Sequence, residues 1–132
     1  VIFQSDALAW MAANPAPPRA SVVTSLPDVS ELPLPFDAWR LWFMEAARAV
    51  MAWTPKDAVC IFYQSDIKRE GTWVDKGYLV QRAAEDVGAR LLFHKVVCRK
   101  PPGTIALGRP SFSHMLAVTR GQPVHSQTPG PD

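Results

Sequence analysis

Between Asp86 and Asp132 the sequence has no acidic residue. Arg90, Lys95, Arg99, Lys100, Arg109 and Arg120 all fall in that span, so a net charge of +2 conceals a one-signed C-terminal part. A basic stretch of this kind fits a polyanionic partner or, as readily, a solvated basic face. Long hydrophobic runs are also missing. No stretch approaches the length of a membrane span, and the first residues lack the charged start and apolar core of a signal peptide. Cysteine is scarce: Cys60 and Cys98 form no close-spaced pair, which argues against a zinc site or redox motif. Two reduced, buried thiols in a cytoplasmic protein are the expectation, with no metal. Finally, none of the glycines at 71, 77, 88, 103, 108, 121 and 130 makes a G-x-G at the end of an apolar strand. That arrangement is what lets a backbone approach a nucleotide-like cofactor closely.

What is present is a chain of 132 residues, 48% apolar, enough for one domain with a real core. Val1-Ile2-Phe3-Gln4 reads as a strand, and Ser5-Asp6 offers an N-cap for a short helix over Ala7 to Ala13. After a proline break, Ser21 to Thr24 is a short strand. A proline-rich loop then leads to the strongest helix, about Phe36 to Trp53. There Trp39, Trp42, Phe43, Ala46, Ala47, Val50 and Trp53 recur at helical spacing as a core stripe. Ala58 to Tyr63 is an uninterrupted apolar run, the pattern of a strand buried on both faces. A long polar loop, Gln64 to Trp73, precedes a second long helix from about Asp75 to Val87, with Tyr78, Leu79, Ala83 and Val87 inward and Gly88 closing it. Two strands follow, Arg90 to Cys98 and Phe112 to Thr119, with no helix between them, so they pair antiparallel. His94 and His114 on these strands read as hydrogen-bonded core histidines. Residues 121–132 read as a Pro/Gly-rich linker or tail.

The order β-α-β-α-β-α-β-β predicts an α/β fold. It is a mostly parallel sheet with flanking helices and a terminal antiparallel β-β hairpin at its far side. Attention falls on Ser25-Leu26-Pro27-Asp28, where the strand Val22-Val23-Thr24 stops. Pro27 removes a backbone donor and forces a turn. In parallel α/β sheets, ligands bind beyond the carboxyl ends of strands, which makes Ser25 to Asp28 the candidate reaction centre.

With these residues in hand, the chain resembles the class I S-adenosylmethionine-dependent methyltransferases, a Rossmann-like fold. It is most similar to the permuted members that modify exocyclic amines of nucleic-acid bases. Ser5-Asp6-Ala7-Leu8 followed by Val22 to Asp28 looks like the start of that pattern. In the pattern, Asp, Asn or Ser, two prolines and an aromatic residue end the catalytic strand. Ser25 and Pro27 match; Leu26 stands where the first proline is usual, and Asp28 where an aromatic residue is. The resemblance implies catalytic roles for Ser25, Leu26, Pro27 and Asp28, and cofactor contact by Asp6 and Ala7. It covers most of residues 1–120, read as the catalytic half of the domain. The glycine-rich cofactor loop is to come from a segment beyond residue 132 or from a second chain.

The implied chemistry is methyl transfer from S-adenosylmethionine to a base amine. Ser25 Oγ and the Leu26 carbonyl accept the amine protons, and Asp28 accepts a proton or hydrogen bond. Asp66, Lys68, Arg69 and Trp73 after the next strand, with Arg99, Lys100 and Arg109 of the hairpin connector, are the candidate substrate-binding residues. Basic side chains beside aromatic ones suit phosphate and a stacked base, with RNA favoured over DNA. Two rival readings stand beside this one. One is a non-catalytic α/β module that binds nucleic acid or a partner chain; the other is a small-molecule or protein methyltransferase, because Asp28 removes the stacking group.

Overall fold

Three helices and six strands, in the order α1 (Ala7–Ala13), β1 (Val22–Thr24), α2 (Phe36–Trp53), β2 (Cys60–Gln64), β3 (Ile67–Arg69), β4 (Thr72–Val74), α3 (Lys76–Asp86), β5 (Arg90–Cys98) and β6 (Phe112–Thr119), make up the computed structural model. It describes residues 1–105 and 107–122. The tail expected over 121–132 lies almost wholly outside the described residues.

β1, β2, β6 and β5 form one sheet in that order. β1 runs parallel to β2, with Val22 opposite Cys60 and Thr24 opposite Phe62. β6 is antiparallel to both β2 and β5, so β1, β2 and β5 share one direction and β6 opposes them. The mixed α/β sheet with flanking helices is as the sequence leads one to expect, but the odd strand is not at its far side. Burial explains its position. Leu116, Ala117 and Val118 of β6 are fully buried, a strand that needs partners on both edges. β5 alternates partly covered and exposed residues, with Leu91 and Val96 half exposed, and takes the edge.

Two other expectations change. Val1 to Gln4 is not a strand: these residues are exposed, and Phe3 instead rests on Trp10, with ring centroids 5.6 Å apart. The polar loop after β2 contains a hairpin of its own, β3 with β4, in which Lys68 faces Trp73 and Arg69 faces Thr72. Its two-residue turn, Glu70-Gly71, has both φ angles positive (49° and 81°). That twist matches the flanking strands, and glycine supplies it at no steric cost.

The core lies between the sheet and the two long helices. Trp39, Phe43, Ala46, Ala47, Val50 and Met51 of α2 meet Leu79, Val80, Ala83 and Ala84 of α3 over Phe62, Leu116 and Val118. Both crossovers, β1-α2-β2 and β2-α3-β5, step the same way across the sheet. Right-handed connections therefore put both helices on one face. On α3 the inward positions include Lys76, one turn before Leu79 and Val80, whereas Tyr78, expected inward, is 52% exposed. Asp75 caps the helix by accepting from Tyr78 N at 2.8 Å. No helix among the described residues is long and apolar enough to cross a membrane.

The two cysteines part company. Cys60 is buried, and burial, opposed by a hydrogen bond with Thr54, pushes its thiol up to about 12. Cys98, expected buried, is exposed near the end of the edge strand. One equivalent of a thiol reagent should therefore react per folded chain at pH 8, at Cys98, with Cys60 reacting only on unfolding; two fast equivalents would contradict the packing. Because unfolding returns Cys60 to a pKa near 9.0, the unfolded chain sheds that proton first as pH rises. Stability falls above that point, and Cys60→Ala should flatten the decline in a denaturation series.

Candidate active-site cleft at the ends of β1 and β2

Beyond the carboxyl ends of β1 and β2 lies a cleft of about 320 Å3 lined by Ser25, Leu26, Asp28, Glu31, Tyr63, Gln64, Ser65, Lys76 and Arg99. Three elements meet there because β1 and β2 are parallel neighbours and α3 starts directly above the end of β2. β1 is an edge of the described sheet, so the cleft opens at one side rather than over its centre. Ser25 is exposed and its hydroxyl has no hydrogen-bond partner among the described residues.

The Ser25–Asp28 turn is held from two directions. Trp39 of α2, wholly buried, donates Nε1–H to the Pro27 carbonyl at 3.1 Å. Lys76 of α3 forms an ion pair with Asp28 Oδ1. The Lys76 side chain is 3% exposed and that of Asp28 32%. The ammonium also lies 5.9 Å from the Trp39 ring centroid, within the range of a cation–π contact. A buried ammonium is strongly unfavourable unless paired, so the fold depends on Asp28 for that charge.

Lys76 is itself placed by a polar chain running in from β5. His94 Nε2 lies 2.8 Å from His114 Nδ1, and His114 Nε2 lies 3.0 Å from Asp66 Oδ1. Asp66 Oδ1 in turn accepts the Lys76 backbone N–H at 2.9 Å. If Asp66 is ionised, His114 donates to it from Nε2 and accepts the Nε2–H of His94. The approach of α3 to this chain favours a glycine: a Cβ on Gly77 would sit 3.0 Å from His114 Nδ1 and 3.1 Å from Asp75 Oδ1, a tight fit that these side chains would have to yield to. Asp66, Asp75 and His114 have donor atoms within 4.8 Å of one another. Asp66 and Asp75 already accept backbone N–H groups and His114 is bound to Asp66.

Of the residues singled out in the sequence, Ser25, Leu26, Asp28 and Arg99 line this cleft. Pro27 lies behind it, its carbonyl taken by Trp39. Arg99 reaches Ser65 Oγ at 3.4 Å. Asp66 is turned inward into the His114 chain. Lys68, Arg69 and Trp73 belong to the β3–β4 hairpin, where Lys68 stands over Trp73 and Arg69 over Phe36, at 5.7 and 4.8 Å from the ring centroids. Arg69 and Trp73 line a second groove of about 500 Å3 on the other side of the first turn of α3. Lys100 and Arg109 are exposed in the β5–β6 connector and line neither hollow. Asp6 caps α1 by accepting from Ala9 N at 2.8 Å, with Ala7 beside it, and neither touches the cleft. Glu31, Tyr63, Gln64, Ser65 and Lys76 are the cleft residues that the sequence reading misses. The signal for Lys76 was its place three and four residues before Leu79 and Val80, on the buried stripe of α3.

The ion pair makes an asymmetric prediction. Lys76→Met leaves Asp28, a third exposed, to recover water, and should cost within about 1 kcal/mol. Asp28→Ala strands a buried ammonium and should cost roughly 3 kcal/mol, most of it recovered in the double variant. Urea denaturation of the three variants reads this directly; equal losses in the two single variants would mean that Lys76 is solvated.

No protein-family model matches the chain, and no curated protein matches it by sequence. Solved structures do. Three structures of one Thermus thermophilus protein, provisionally named as a DNA modification methylase, match at 16% identity. The native form has a TM-score of 0.68, covering 94% of this chain and 55% of that one. The selenomethionine form has 0.67, covering 93% and 55%. The third, complexed with S-adenosyl-L-methionine, has 0.67, covering 93% and 54%. The chain thus spans about half the length of the structures it matches. It has the α/β fold of that part of a methyltransferase-like protein.

Proposed function

We propose that this chain is the catalytic half of an S-adenosylmethionine-dependent N-methyltransferase acting on an exocyclic amine of a nucleic-acid base. The observation that carries the reading is the position of Ser25-Leu26-Pro27-Asp28. The tetrad ends a strand of a methyltransferase-like sheet and lines a cleft shared with the end of the next strand. The likeness to a protein solved with S-adenosyl-L-methionine supports the choice of cofactor.

The described residues fit one side of such a site. Ser25 offers a hydroxyl with no partner, beside the Leu26 carbonyl, and Asp28 retains Oδ2 beyond its bond to Lys76. Asp6 and Ala7, the candidate cofactor contacts, stand on α1 outside the cleft, so further contacts with the cofactor come from elsewhere in the full protein. A glycine-rich segment C-terminal to this chain, or a second chain, is the proposed source. When bound, S-adenosylmethionine supplies a methyl group on a positively charged sulfur.

This chain's own part is to hold the amine. The lone pair of a base amine is delocalised into the ring and attacks poorly. Ser25 Oγ and the Leu26 carbonyl, each accepting one N–H, draw the lone pair back onto nitrogen and fix its direction. Positioning of this kind supplies much of the rate in a transfer reaction. The proton shed by the methylated nitrogen passes to Asp28 or to water. Arg99 at the cleft, and Lys68, Arg69 and Trp73 at the neighbouring groove, supply charge and an aromatic face for the strand that carries the base. Lys100 and Arg109 extend that basic surface. A base inside a duplex must first be flipped out, which favours single-stranded RNA as substrate; the structural neighbour is named for DNA, so both are assayed.

One observation favours the rival, a non-catalytic nucleic-acid-binding or partner-binding module: Asp28 is already engaged by Lys76. Titration of the full-length protein with S-adenosylmethionine separates the two. Heat of binding is expected, with methyl transfer to RNA or DNA. Ser25→Ala is expected to lower turnover by roughly a hundredfold with cofactor affinity unchanged, a loss typical of a positioned acceptor. Absence of binding to cofactor or its demethylated product would reject methyl transfer.

A further inference from the structure

Gln64 is 1% exposed, and neither its Oε1 nor its Nε2 has a hydrogen-bond partner among the described residues. Buried amides are nearly always paired, so one left without partners calls for an explanation. Its surroundings do not supply one. Gln64 stands at the end of β2 opposite His114, but that imidazole is committed to His94 and Asp66. Packing does not require an amide here either, since Leu or Met would fill a similar space without an unpaired donor and acceptor. The residue nonetheless lines the cleft that holds Ser25 and Asp28.

Resting on the methyltransferase reading, we infer that Gln64 is the specificity-determining residue of the cleft. Its primary amide pairs with the amidine edge of the target base: Nε2–H donates to the ring nitrogen, and Oε1 shares with the Leu26 carbonyl the amine N–H on that edge. A carboxamide places one acceptor and one donor side by side, the complement of that edge and the geometry by which glutamine reads adenine. The other polar groups of the cleft are unsuited to the task. Lys76 and Arg99 carry donors alone, Asp28 and Glu31 acceptors alone, and Ser25, Tyr63 and Ser65 a single hydroxyl each, so none sets a donor and an acceptor side by side in one plane. The volume of about 320 Å3 admits one heterocycle, at the small end of ligand pockets. On the Watson–Crick edge, by which flipped bases are read, adenine and cytosine set an amine beside a ring acceptor whereas guanine sets it beside N1–H, so the ligand class is adenine or cytosine. Uracil and thymine lack the amine that Ser25 and Leu26 are to hold.

The test uses full-length protein and fluorescent single-stranded oligouridine probes carrying one adenine, one cytosine or neither. Wild type is expected to prefer an adenine or cytosine probe. Gln64→Leu should reduce that preference by roughly tenfold or more, the usual loss when a paired edge is deleted. Its Tm should stay level or rise by a few degrees, because an unpaired polar group has left the core. Gln64→Met, unbranched and of similar length, repeats the measurement if the leucine variant misfolds. A marked fall in Tm in both variants would overturn the inference, as would an unchanged preference or a wild type that prefers neither base. Parallel titration with S-adenosylmethionine keeps the two ideas apart. No cofactor binding by wild type sinks the methyltransferase reading, whereas normal cofactor binding with an unchanged base preference sinks only the role of Gln64.

Discussion

A lysine inside a protein core must be answered by a negative charge, and in this fold the answer is Asp28. Lys76 enters the interior because α3 needs its first turn against the sheet. Its backbone N–H is held by Asp66, and its ammonium reaches across to the turn that ends β1. That single contact ties the helix after β2 to the candidate reaction centre after β1. Trp39 completes the clamp from α2 by holding the Pro27 carbonyl. The turn is therefore fixed by two separate helices rather than by its own sequence. A turn of only four residues keeps a defined shape for this reason.

The polar chain behind Lys76 has a comparable logic. His94, His114 and Asp66 come from β5, β6 and the loop after β2, and each link commits its hydrogen-bonding groups to the next. The inner links, His114 and Asp66, are paired with each other, while His94, expected in the core, is exposed and closes the chain at the surface. Gln64, on the strand beside His114, takes no part in that chain. The contrast between the paired His114–Asp66 link and an idle amide next to it distinguishes groups that build the cleft from a group available to a ligand.

Much of the fold was legible in the sequence because the signals were local. The α2 stripe from Trp39 to Trp53, the apolar run into Phe62 and the Asp6 cap each declare themselves within a few residues. What escaped was decided at a distance. The place of β6 between β2 and β5 follows from burial on both its edges, which no window of Phe112 to Thr119 reveals. The β3–β4 hairpin hid in a polar stretch because its signal is the Glu70-Gly71 turn, with glutamate in a conformation it seldom adopts. Lys76 was missed for a plainer reason: a lysine on an apolar stripe reads as a solvated end unless its partner, 48 residues away, is known. The same limit applies to the site. Ser25, Leu26 and Asp28 were marked by the way their strand ends, and Arg99 by its charge. Chain order had placed Lys68, Arg69 and Trp73 beside Ser25, but the first turn of α3 comes between them.

The exposure of Cys98 has a practical side. It is the neighbour in sequence of Arg99, whose side chain helps to form the cleft wall, while the other thiol is shut away in the core. A dye attached there would stand on the outer strand of the sheet, one residue along the chain from Arg99, without altering any cleft-lining side chain. The native chain thus carries a natural attachment point for a fluorescent label on that strand, with no engineered cysteine.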